Sequence, residues 1–127
     1  MEKEFIMPEG VVKARGFSHA VKVGNTIYVS GQVASDEDGN IIGKEDMVAQ
    51  TERAYENIRR TLEATGAAMT DIVMLNYYCL DLEAFKKTGE ARKKYFGKYF
   101  PAATAVQVEK LILPDALIEV EAIAIVG

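Results

Sequence analysis

Histidine and cysteine each occur once, at His19 and Cys79, tryptophan is absent, and only three prolines interrupt 127 residues. A lone cysteine cannot close an internal disulfide, and one cysteine with one histidine is too small a ligand supply for structural zinc. A reducing setting fits best, with no structural zinc expected. Neither charge sign dominates: fifteen Lys+Arg face nineteen Asp+Glu, a net of -4. Such a balance offers no broad attraction to phosphate backbones or anionic lipid. No apolar run approaches the roughly 18 residues of a membrane span, and Met1 to Pro8 carries Glu2 and Glu4 where a signal or transit peptide carries bases. The expectation is a cytoplasmic protein with no membrane partner. Pro8, Pro101 and Pro114 lie far apart and no segment is repeated or low in complexity, so nothing marks a linker. Length then predicts a single domain over 1–127.

What is present suffices for an ordinary core: 49% of residues are hydrophobic and 27% charged, the balance of a globular chain. His19 to Val23 and Thr26 to Ser30 are β-rich runs joined at Gly24-Asn25, a pair suited to a tight hairpin turn. An extra strand is expected around Phe5. Asp46 can cap a helix ending near Gly66, with Val48, Thr51, Tyr55, Ile58 and Leu62 as its buried stripe. Ile72 to Leu80 reads as a strand on which Cys79 alternates with Val73, Leu75 and Tyr77 as a small core hydrophobe. Asp81 is placed to cap a second helix, Leu82 to about Lys98, in which Gly89 suggests a close packing neighbour. Ala103 to Leu111 and Ile118 to Val126 read as the last strands, separated at Pro114-Asp115. The natural packing is an α+β subunit with two helices on one face of a mixed sheet. In the last strand Ile118, Val120, Ala122, Ala124 and Val126 lie on one side and Glu119, Glu121, Ile123 and Ile125 on the other. Both faces are partly apolar, so the face without helices is expected to meet other subunits in a closed oligomer.

Several segments together resemble the RidA family, also called YjgF or liver perchloric-acid-soluble protein. They are Gly16-Phe17-Ser18-His19-Ala20-Val21, Ile27-Tyr28-Val29-Ser30-Gly31-Gln32, Gln50, Pro101-Ala102-Ala103-Thr104, and Leu113-Pro114 with Ile118-Glu119-Val120-Glu121-Ala122-Ile123-Ala124. The resemblance implies a chorismate-mutase-like fold, a homotrimer whose sheets form a central barrel, and small-molecule clefts at the subunit interfaces. It further implies cofactor-free hydrolysis of reactive imines or enamines such as 2-iminopropanoate to a keto acid and ammonia. Ser30 and Gly31 occupy the family's ligand-facing strand end, and Glu119 the acid that holds the hydrolytic water. Phe17 stands where a tyrosine is frequent, and Thr104 and Ala105 follow in a run where Ala105 replaces a common cysteine. The family's substrate-gripping arginine falls at Ala103. Losing one side of a desolvated charge pair costs about 2 to 5 kcal/mol, so 2-iminopropanoate deamination is expected to be weak or absent.

Alternative readings remain open at this level. A larger or neutral imine or enamine could replace the short acid as substrate. Arg15 and His19, flanking Phe17, read as a surface arginine and a hairpin histidine, with a replacement cation as the sharper alternative. The run Lys86, Lys87, Arg92, Lys93, Lys94 and Lys98 reads as a solvated basic helix face; an interaction or RNA-binding role is the third possibility, weighed down by the acidic chain and the want of an aromatic stacking platform. Ser30 has no triad around it, and Glu121 reads as structural.

Overall fold

A computed structural model describes residues 1–127. Its strands are β1 (Lys3–Ile6), β2 (Ala20–Val23), β3 (Thr26–Gln32), β4 (Ile72–Cys79), β5 (Ala102–Gln107) and β6 (Ile118–Ile125), and its helices are α1 (Met47–Glu63), α2 (Leu82–Phe85) and α3 (Gly89–Phe96). The strands form one sheet in the order β1-β2-β3-β6-β4-β5, antiparallel except for the parallel pair β4 and β5. The hairpin turns where the Gly24-Asn25 pair places it, with Val23 opposite Thr26. No helix is long and apolar enough to cross a membrane.

The helices pack on one face. Ile118, Val120, Ala122 and Ala124 of β6, with Leu75 and Tyr77 of β4, are buried against Tyr55, Ile58 and Leu62 of α1. The opposite face carries no helix, and across it Phe5, Val21, Tyr28, Ile123 and Met74 fall in one register row. Phe5 and Tyr28 there are 65% and 52% exposed.

Five details depart from the sequence reading. Val48 is exposed, and the buried surface of α1 instead includes Gln50, Ala54, Asn57 and Thr61. Thr61 is satisfied by the Asn57 carbonyl of its own helix, and Gln50 and Asn57 are buried because the connections around the sheet supply partners. Gln50 donates to the carbonyls of Gly43 and Asp115 and accepts from the Leu117 N–H; Asn57 donates to the carbonyls of Val33 and Ser35. Val73 is exposed because the β4–β6 register slips between Ile72 and Met74 and turns it away from the core. The second helix is broken into α2, a 3-10 turn at Lys86–Thr88, and α3, ending at Gly97. Thr88 Oγ1 bonds back to the Phe85 carbonyl at 2.7 Å, a local alternative to the α-helical ladder. No atom stands within 4 Å of where a Gly89 side chain would begin, so the close neighbour expected there is absent. The strand expected through Leu111 ends at Gln107.

Candidate functional site

Glu119 is positioned by an irregularity in the sheet. Val29 of β3 pairs with Ala122, but Gln32 pairs with Val120, so Ser30 and Gly31 together face a single residue of β6. Two residues opposing one is a β-bulge, a device that re-aims side chains at the end of a ladder. It brings the Glu119 carboxylate against the Gly31 backbone: a side chain begun at Gly31 would sit 2.8 Å from Glu119 Cδ. Gly31 is needed here for space. Burial, first, and the Glu121 charge, second, push the Glu119 carboxyl above its ordinary range. Glu121 is occupied structurally, accepting from the Tyr78 hydroxyl at 2.7 Å and from Asn76 at 3.2 Å.

The segment leading into β2 is stitched to this bulge. Ser30 Oγ donates to the Ser18 carbonyl at 2.7 Å, and the Ser30 N–H donates to the His19 carbonyl at 2.9 Å. The serine hydroxyl therefore braces the bulge. The Gln32 side-chain N–H group donates both to the Ser30 carbonyl at 3.1 Å and to His19 Nδ1 at 3.0 Å. Because a carbonyl only accepts, the amide orientation is set, Nδ1 accepts, and Nε2 carries the ring hydrogen toward the Val12 carbonyl. His19 is buried with both nitrogens engaged, so it is no replacement cation. Its ring instead supports Phe17 edge-on, centroids 5.6 Å apart. Phe17, Gly31 and Glu119 line one cavity of about 350 Å³, with the exposed cations Lys13 and Arg15 at its margin.

Ala103, Thr104 and Ala105 line a different cavity, of about 370 Å³, at the sheet edge formed by β5. Tyr77, Phe85, Phe100 and Pro101 wall it, and its one charged residue is Arg92 from α3. The two cavities share no residue within one chain. Ala103 pairs with Leu75 and Ala105 with Tyr77, both under the helices, whereas Glu119 projects from the helix-free face.

Arg92 corrects the basic-face reading. Lys86, Lys93 and Lys94 lie near Glu83, Glu90 and Glu52 at 3.0, 3.5 and 3.8 Å, but Arg92 turns inward, half-buried, over the rings of Phe85 and Tyr77 at 5.2 and 5.8 Å. The signal was present as Phe85, Thr88 and Arg92, three and four residues apart on one helical face. Cys79 is buried, its thiol directed to the Val106 carbonyl and pushed up in pKa by burial, as a core residue should be. No three His, Cys, Asp or Glu side chains gather where they could hold a metal.

Six mixed strands under two helical segments, with a bulge-mounted carboxylate and a separate edge cavity, define a class of small α+β subunits. The model of the family described as Endoribonuclease L-PSP matches residues 9–126. A RutC family protein of Pyrococcus abyssi is 45% identical, covering 98% of both chains. The human 2-iminobutanoate/2-iminopropanoate deaminase is 34% identical over 87% of this chain and 80% of its own. The crystal structure of RidA from the Antarctic bacterium Psychrobacter, 34% identical, superposes with a TM-score of 0.89 over 97% of this chain and 99% of that one. The chain belongs to this RidA/YjgF family.

Proposed function

We propose that the protein is a RidA-type hydrolase of C=N bonds, active as a homotrimer, in which the Glu119 cavity of one subunit faces the Ala103 cavity of the next. The observation that carries this reading is the Gly31–Glu119 contact at the bulge. It holds a carboxylate of raised pKa against backbone in a cavity that also has an aromatic wall. Such a group suits general-base work near neutral pH. Glu119 accepts a proton from water as the water oxygen adds to the imine carbon. Glu119 passes that proton to the nitrogen, then takes the hydroxyl proton of the carbinolamine and passes it on likewise, so that the C–N bond breaks with its electron pair leaving on ammonia and the C=O bond forms. The human relative's name gives 2-iminobutanoate and 2-iminopropanoate as its substrates; this chain shares their C=N chemistry but has no guanidinium at position 103 to grip the shortest of them.

The test is ammonia release from enzymatically generated 2-iminopropanoate and larger imines. Glu119→Gln is expected to bring the catalysed rate on every accepted substrate to background. A Glu119→Gln protein with the wild-type rate would overturn the reading. RNA cleavage finds no support in the same site, since the chain's one histidine has both nitrogens committed to structure.

A further inference from the structure

We infer that Arg92 is the carboxylate-binding residue of this protein, a guanidinium supplied from helix α3 where Ala103 leaves the strand without one. The inference takes its ligand class, imino and keto acids, from the function proposed above; the placement of Arg92 is independent of it.

Four observations converge. Arg92 is the single charged residue in the wall of the cavity that contains Ala103, and no acidic residue lines that cavity. It lies within salt-bridge range of no carboxylate, whereas Lys86 of the 3-10 turn and Lys93 and Lys94 of α3 each have one within reach. Its guanidinium is held in advance: Nη2 donates to Thr88 Oγ1 at 3.3 Å, and the group lies over the faces of Phe85 and Tyr77. A cation stacked on rings and half out of water keeps its charge, and beyond Thr88 and the nearby Tyr77 and Tyr55 hydroxyls its five N–H groups leave donors for an incoming acceptor. Finally, Ala103 and Ala105 present only methyl groups, which leaves the space before Arg92 open. At about 370 Å³ the cavity is in the range of small-molecule sites, roughly 300–1,000 Å³.

The geometry also selects length. A guanidinium from position 103 would extend from the sheet edge itself, whereas Arg92 stands back on the helix layer over Phe85. Anchoring from the helix layer therefore predicts a preference for acids longer than three carbons, which the binding series below tests.

The experiment measures binding by calorimetry on the full chain, using 2-oxoglutarate, 2-oxobutanoate and the uncharged 2-oxobutanamide. The wild type is expected to bind the two acids more tightly than the amide, with 2-oxoglutarate ahead. Arg92→Met should lose at least about thirtyfold for the acids and leave the amide unchanged. Arg92→Lys, which keeps charge but not the planar fork, should fall between. Arg92→Gln, run alongside with thermal melting, serves should the methionine variant fail to fold. Equal acid affinity in wild type and a folded Met or Gln variant would overturn the inference, as would a wild type that does not distinguish acid from amide. Glu119→Gln, measured in parallel, should abolish turnover with acid affinity intact. Loss of turnover there with no Arg92 effect on binding rejects the anion site and leaves the hydrolase; an Arg92 effect on binding with no imine hydrolysis by wild type does the reverse.

Discussion

At Glu119 stability and chemistry oppose each other. Burial raises its pKa, so the folded chain binds that proton more tightly than the unfolded chain does. Stability therefore falls as pH rises from the ordinary carboxyl value, 4.5, to the raised one, and stays lower above it. Glu119→Gln is expected to melt higher than wild type at pH 7 and level with it at pH 4, while losing turnover. A variant that melts lower at pH 7 would contradict burial of the charged carboxylate as a cost to the fold. Gly31→Ala separates placement from presence: the new methyl meets the movable end of Glu119 and not the main chain. Melting should change little, whereas the displaced carboxylate should cost most of the turnover; a fully active Gly31→Ala protein would contradict the role assigned to the bulge.

At the scale of elements, buried polar side chains do the positioning. Gln50 fastens α1 to the chain entering β6 through two hydrogen bonds and to the Gly43 carbonyl ahead of α1 through a third, and Asp46 caps α1 at the Ala49 N–H. Asp46→Ala should cost about 1 kcal/mol. Gln50→Leu leaves the part-buried backbone groups it served without their partner and should cost about 1–3 kcal/mol, more than the cap; chemical denaturation that ranks the two in the opposite order would refute the clamp. This also shows where the sequence was readable. The strands, the hairpin turn and both caps follow from β-branched runs, Gly24-Asn25, Asp46 and Asp81. Gln50 and Asn57 were invisible to apolar periodicity because their burial depends on backbone groups brought in by other segments, and Thr61 because its hydroxyl is satisfied by the Asn57 carbonyl of its own helix. Phe17, Gly31, Glu119 and Ala103 stood out by motif, but their division between two cavities depends on sheet order, and Arg92 was hidden in a lysine-rich run.

For the molecule as a whole, the unpaired surfaces argue for assembly. β5 is an uncharged edge strand, largely exposed, and such edges are ordinarily covered. The helix-free face carries the row from Phe5 to Met74, apolar surface of the kind that marks an interface. Sedimentation is expected to give three times the 14.0 kDa chain mass, and Ile123→Asp, within that row, should yield smaller species without turnover. Fully active monomers would contradict a cleft shared between subunits.

The central claim is that Glu119 drives C=N hydrolysis in a pocket whose anion grip has moved from position 103 to Arg92. Its most direct test is the initial rate of ammonia release, under equal enzyme, from 2-iminopropanoate and from 2-iminoglutarate. The account predicts faster release from the longer acid, abolished by Glu119→Gln and sharply reduced by Arg92→Met. Faster release from the three-carbon acid, undiminished in Arg92→Met, would contradict it.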